Sequence, residues 1–95
     1  MEISTVTDNP ERQQFQLTVD GETASIEYRL HEGKLVLMHT EVPEKLGGRG
    51  IGSALADFAF RYARSKRLPV KVYCPFVQAW QKKHPEYDDL VVKAD

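Results

Sequence analysis

Four of the six glycines in this 95-residue chain fall within one stretch, Gly47-Gly48-Arg49-Gly50-Ile51-Gly52. A run so poor in side chains weakens any helix or strand interior, so it reads as a loop in which the backbone itself makes the contacts. Its flanks define it further. Before it, Lys34 to Val42 reads as a strand, apolar on both parities (Leu35 and Leu37 on one, Val36, Met38 and Val42 on the other), which predicts cover on both faces. After it, Ile51, Ala54, Leu55, Phe58, Ala59, Tyr62 and Ala63 fall at helical spacing, and Arg61, Arg64, Lys66 and Arg67 gather where the helix dipole favours cations. A glycine loop between a strand and a helix N-terminus turns several backbone N–H groups toward one point. It is therefore an anion site, most often for phosphate.

The rest of the chain reads as α+β. Phe15, Leu17 and Val19 alternate with polar residues up to Asp20-Gly21; Ala24, Ile26 and Tyr28 alternate on the return, and Glu32-Gly33 marks a second tight turn. These strands and Lys34–Val42 form an antiparallel meander, and Ile3 to Thr7 is a candidate extra strand. Leu68-Pro69 ends the long helix and Val70 to Tyr73 is a short strand, so the strand, glycine loop, helix and strand make a crossover with parallel strands. Pro75 opens a second short helix to about Lys83, stopped by His84-Pro85, and Leu90 to Val92 is a candidate closing strand. Residues 1–95 are expected to form one domain with a mixed sheet, since folding a chain of this size hides roughly 65% of its surface and sustains one modest core.

Composition excludes several classes. No run approaches the ~18–20 apolar residues of a membrane helix, and MEISTVTDNPERQQ has neither a basic leader nor an apolar core, so no membrane span or secretory signal is expected. The single cysteine excludes an intramolecular disulfide and a multi-cysteine zinc site, so no metal is expected and a cytoplasmic location is the default. A net charge of −1 argues against nucleic acid as the main partner.

Three phosphate loops compete for the glycines. A Walker loop needs Gly-x4-Gly-Lys-Ser/Thr, but Gly52 is followed by Ser53-Ala54, without the lysine. A dinucleotide fingerprint needs Gly-x-Gly-x-x-Gly and an acid about 20 residues on, and both are missing. Arg49-Gly50-Ile51-Gly52-Ser53-Ala54-Leu55, after Val42-Pro43, resembles the acetyl-coenzyme A loop of the GNAT N-acetyltransferase superfamily. The resemblance extends from Leu37 to Leu90 through His39-Thr40-Glu41-Val42-Pro43, Cys74-Pro75-Phe76-Val77, Trp80 and His84-Pro85-Glu86-Tyr87. It is similar to the compact, single-domain "CG" branch, which lacks the N-terminal helical pair that shapes the acceptor pocket of full-sized members.

The resemblance implies a GNAT-like fold and transfer of an acetyl group from acetyl-coenzyme A to an amine, small or on a protein. It implies that backbone groups of Gly47, Gly48, Arg49, Gly50, Ile51, Gly52 and Ser53 hold the pyrophosphate, and that Thr40 and Val42 pair with the pantetheine arm. Gly47 stands where the family usually has Gln or Arg, and the spacing from Pro43 to the loop is one residue longer than usual.

Acetyl transfer needs a deprotonated amine, a donor for the developing oxyanion and a proton for the departing thiolate. His39 and Glu41, two apart and therefore on one strand face, are candidate general bases; the bland reading is a hydrogen-bonded strand histidine and a solvated glutamate. Cys74 is expected at the N-cap of the second helix, where it is a candidate nucleophile, a groove-lining residue or a small buried hydrophobe. Phe76, Trp80 and Tyr87 either flank the ligand or fill the core. Trp80 and Gln81 offer no phenol where full-sized members place a tyrosine. A coenzyme A-binding module without turnover, or an interaction domain whose glycines only permit a turn, are the competing functions.

Overall fold

The computed structural model describes residues 6–92. Five strands lie side by side in chain order: β1 (Thr7–Asn9), β2 (Gln14–Val19), β3 (Glu22–His31), β4 (Lys34–Glu41) and β5 (Val70–Val72). The first four are antiparallel neighbours and β5 joins β4 in parallel, reached through the long helix α1 (Ile51–Lys66). A short helix, α2 (Pro75–Lys82), and a 3-10 segment, Pro85–Leu90, follow.

Two-residue turns set the register of the meander. Asp20 and Gly21 (φ 51° and 80°), like Glu32 and Gly33 (51° and 74°), have positive φ at both central positions, the turn form that matches strand twist. The alternation read from sequence then becomes burial. Phe15, Leu17, Ala24, Ile26, Tyr28, Leu35 and Leu37 all lie in the core, which α1 closes with Leu55, Ala56, Ala59, Phe60 and Ala63. Small residues on α1 bring the helix close to the sheet. At one end of this layer Phe15 stacks on Tyr28 with ring centroids 4.4 Å apart, and Phe58 and Tyr62 meet Phe15 at 5.3 and 5.1 Å.

Three expectations are corrected. Among the described residues no element covers the face of the sheet away from α1: Val36 is buried, but Met38 is 41% exposed. Both helices lie on the other side, where Phe60 of α1 stacks with Trp80 of α2, so one parity of β4 gains only partial shelter from neighbouring side chains. Leu90 to Val92 does not form a strand. Leu90 ends the 3-10 segment and only Val91 bridges to Val70, because the segment opened by Pro85 uses up the chain that a strand would need. The first strand is Thr7–Asn9, and residues 3–5 of the expected Ile3–Thr7 strand lie outside the described residues.

The Tyr28 phenol is buried and donates to the Asp8 carboxylate of β1 at 2.5 Å, tying the edge strand to the core. Burial, then the Asp8 hydrogen bond and charge, push its pKa well above the ordinary value of 10. The folded state thus favours the neutral phenol, and its contribution is complete below pH 10 and lost as the pH climbs toward the raised value. Tyr28→Phe is expected to lower unfolding free energy by about 1–2 kcal/mol at neutral pH. It should also flatten the decline in stability above about pH 10. Urea unfolding of both proteins across pH 7 to 11 checks the pair of effects.

Candidate functional site

The loop descends from β4 in two stages. Glu44–Leu46 forms a 3-10 turn whose Leu46 side chain is buried, pinning the start of the loop to the core. Gly47 to Gly50 then pass over the surface, with Gly48 and Gly50 at φ 78° and 74°. Gly50 is the N-cap of α1 in a left-handed conformation that a side chain would strain. It brings no capping side chain, and the first turn of α1 holds no acid. The N–H groups of Ile51, Gly52 and Ser53 therefore lack intrahelical partners, and the helix dipole adds positive potential where they point. The Arg49 guanidinium lies 3.5 Å from Asp20 of the β2–β3 turn, at the rim.

Beside these N–H groups is an open groove of about 370 Å³, lined by Val42, Leu46, the loop glycines, Ile51, Ser53 and Phe76. An anion with an apolar arm fits this shape: glycine backbone supplies donors at one end, and Val42, Leu46 and Phe76 supply apolar walls. The absence of a carboxylate in the first turn of α1 leaves the donors unopposed.

A second feature lies where β4 and β5 part. Their pairing ends at Leu37–Val72, followed by one bond from Tyr73 N–H to the Leu37 carbonyl at 2.9 Å, whereas β4 stays paired with β3 as far as Glu41. Met38 is the residue left over: Leu37 faces Tyr28, His39 faces Glu27, and Met38 bulges between them. The bulge exchanges the two faces of β4. Thr40, opposite the fully buried Ile26, turns to the α1 side, where its hydroxyl lies 2.9 Å from the Cys74 sulfur.

The sequence-derived candidates therefore divide. Cys74 is the N-cap residue of α2, as expected, 4% exposed and paired with Thr40. His39 and Glu41 share a face with each other, opposite Glu27 and Ser25, and both are exposed on the side of the sheet away from Cys74. Gly47, Gly48, Gly50, Ile51, Gly52, Ser53 and Val42 come together in the groove, and Arg49 stands at its rim. Of the aromatics, Trp80 is a core residue stacked on Phe60 and His84, and Tyr87 packs on Phe60 at 5.2 Å. Phe76 is not core: it is 44% exposed, on the groove.

Two contributors escape sequence reasoning. The Trp80 indole donates to Ser53 Oγ at 2.8 Å, fastening α2 to the first turn of α1. Tyr73, also exposed, joins Met38, Val36 and Lys71 in lining a shallow pocket of about 380 Å³. Among the described residues no three His, Cys, Asp or Glu side chains gather to hold a metal ion, and no helix is long and apolar enough to cross a membrane.

A meander that continues through a glycine loop and helix into a parallel strand, with an open groove beside the parting strands, is a GNAT-like fold. The comparisons agree. Residues 14–90 match the model of the GCN5-related N-acetyl-transferase family of the CG type, and the chain belongs to that family. The protein called NATD1 in Danio rerio is 34% identical over 100 residues, covering 97% of this chain and 91% of the relative. The human NATD1 protein is 32% identical over 77 residues, covering 78% and 68%. The solution structure of a GCN5-like protein from Staphylococcus aureus superimposes with a TM-score of 0.74 over 100% of this chain and 94% of that one; at 24% identity the likeness is one of fold.

Trp80→Phe keeps the stack on Phe60 but removes the N–H, and is expected to lower stability by about 1 kcal/mol. Ser53→Ala should cost a similar amount. Denaturant unfolding of the double variant should show little further loss beyond either single change, since both remove one bond.

Proposed function

We propose that this protein is an acetyl-coenzyme A-dependent N-acetyltransferase acting on an amine. The observation that carries the reading is the uncapped, acid-free α1 N-terminus opening onto an apolar groove beside the parting of β4 and β5. Family membership supports the choice of acetyl-coenzyme A, which when bound supplies an acetyl group activated as a thioester. The N–H groups from Gly48 to Ser53 bind the pyrophosphate. Beyond Leu37, the edge of β4 from which β5 has parted offers the backbone of Thr40 and Val42 to the amide groups of the pantetheine arm.

In direct transfer the acceptor amine approaches from the bare face of the sheet and attacks the acetyl carbon. The exposed side chain of His39 or Glu41 takes its proton as the N–C bond forms, and the C–S bond breaks so that coenzyme A leaves as a thiolate that takes up a proton from water. Without helices over that face, the acceptor site is open and suits a polyamine, another small amine or a lysine side chain. The close Thr40–Cys74 contact favours a second route. In it the Cys74 sulfur attacks the acetyl carbon, coenzyme A leaves with the thiol proton, and Cys74 holds the acetyl group as a thioester until an amine takes it and restores the thiol.

Excess acetyl-coenzyme A is expected to raise the melting temperature, by the mass action of a ligand that binds only the native state. Gly50→Asp, which sets a carboxylate against the pyrophosphate, should abolish the shift. An unchanged melting temperature in the native protein would sink the reading. Intact mass after incubation separates the routes: an acetyl adduct present in the native chain and lost in Cys74→Ala marks the covalent one. Acetylation of an amine panel that survives Cys74→Ala but falls at least tenfold in Glu41→Gln or His39→Ala marks direct transfer. Binding without any turnover across the panel would make the protein a coenzyme A-binding module.

A further inference from the structure

Gly52 is the second glycine of the loop pattern, yet it is helical and needs no left-handed backbone. Its reason for being glycine is spatial. A Cβ built there would lie 2.7 Å from Cζ of Phe76, closer than real Cβ atoms come, and 3.0 Å from Cε2, so the ring would have to shift to admit one. The ring occupies the place of the missing side chain. Four residues further along α2, on the same helix face, Trp80 bonds Ser53, the neighbour of Gly52. Two consecutive residues of α1 are thus gripped by one face of α2.

Phe76 is nevertheless 44% exposed, although the next residue, Val77, is fully buried in the core. Leaving half an aromatic ring in water forgoes part of the burial such a side chain otherwise gains. The exposed half faces the groove, whose other apolar walls are Val42 and Leu46. Phe76 stands two residues after Cys74, and Val42, two residues after Thr40, lines the same groove, so the groove adjoins both segments that carry the Thr40–Cys74 contact.

We infer that Phe76 is a ligand-positioning residue, its ring seated on Gly52 to form the wall along which the apolar arm of coenzyme A is guided from the loop toward the parting of the strands. The inference rests on the coenzyme A reading above and adds to it a residue, a contact and a reason for Gly52. A wall of this kind acts on the arm and not on the nucleotide. It therefore predicts discrimination between the whole coenzyme and its nucleotide half.

The test is calorimetric titration of the native protein, Phe76→Ala, Phe76→Leu, Gly52→Ala and the Gly52→Ala/Phe76→Ala double variant, with coenzyme A and with 3′-phospho-ADP, which lacks the arm. Thermal melts establish that each variant is folded, and Phe76→Leu serves if the alanine is not. Phe76→Ala is expected to weaken coenzyme A about tenfold, with 3′-phospho-ADP changed less than about twofold and Phe76→Leu in between. Gly52→Ala should weaken coenzyme A in the native background but have little effect once the ring is gone. Equal weakening of both ligands by Phe76→Ala, no weakening of either, or an undiminished Gly52→Ala effect in the Phe76→Ala background would overturn the inference while leaving the coenzyme A site intact. Absence of coenzyme A binding by the native protein would overturn the site itself, and the role of Phe76 with it.

Discussion

Everything at the site depends on β4 being shared between two partners that release it at different points. β3 holds β4 by antiparallel pairing up to Glu41, while β5 holds it in parallel only to Leu37. Between those limits β4 has a strand on one side only, and the Met38 bulge rotates the chain there. A sheet edge inside a small domain is ordinarily a liability that must be covered or paired. Here the open stretch leads into Val42, which lines the loop groove. The bulge also decides which chemistry faces which way, with Thr40 turned to the sulfur of Cys74 and His39 and Glu41 to water.

The molecule is one-sided. Both helices stack on one face of the sheet, and a single aromatic column of Phe60, Trp80, His84 and Tyr87 binds α1, α2 and the 3-10 segment together. A chain of this size has one core's worth of apolar surface to invest, and the second face is left to polar pairs such as Thr18 with Thr23 and Arg29 with Glu27. Val36, Met38 and Tyr73 are apolar exceptions on that bare face. The glycine loop thus opens onto α1 and the packed side of the sheet, while His39 and Glu41 stand on the other.

Much of this was legible in the residues. Alternation and the Asp-Gly and Glu-Gly turns specify the hairpins, and the apolar stripe from Ile51 to Ala63 specifies α1, because these signals are local and periodic. The loop was legible because glycines at a helix start have few other uses. The bulge was not. Leu35, Leu37 and the residues beyond continue an unbroken strand pattern, and one inserted residue leaves no compositional trace while it reverses every side chain after it. Hence His39 and Glu41 were correctly placed on a common face, but which face that is relative to Cys74 follows only from the pairing with β3. Phe76 was equally hidden, since its half-exposure depends on the space vacated by Gly52, far away in sequence.

The two-residue turns carry a consequence for how the chain assembles. β2, β3 and β4 meet through contacts between near neighbours in sequence, which cost little loop entropy and form early in any search. The union of β4 with β5 must wait until the glycine loop and the whole of α1 lie between them in place. The parting of strands at the site thus belongs to the pairing that spans the widest separation in sequence in the sheet, Leu35 with Val70.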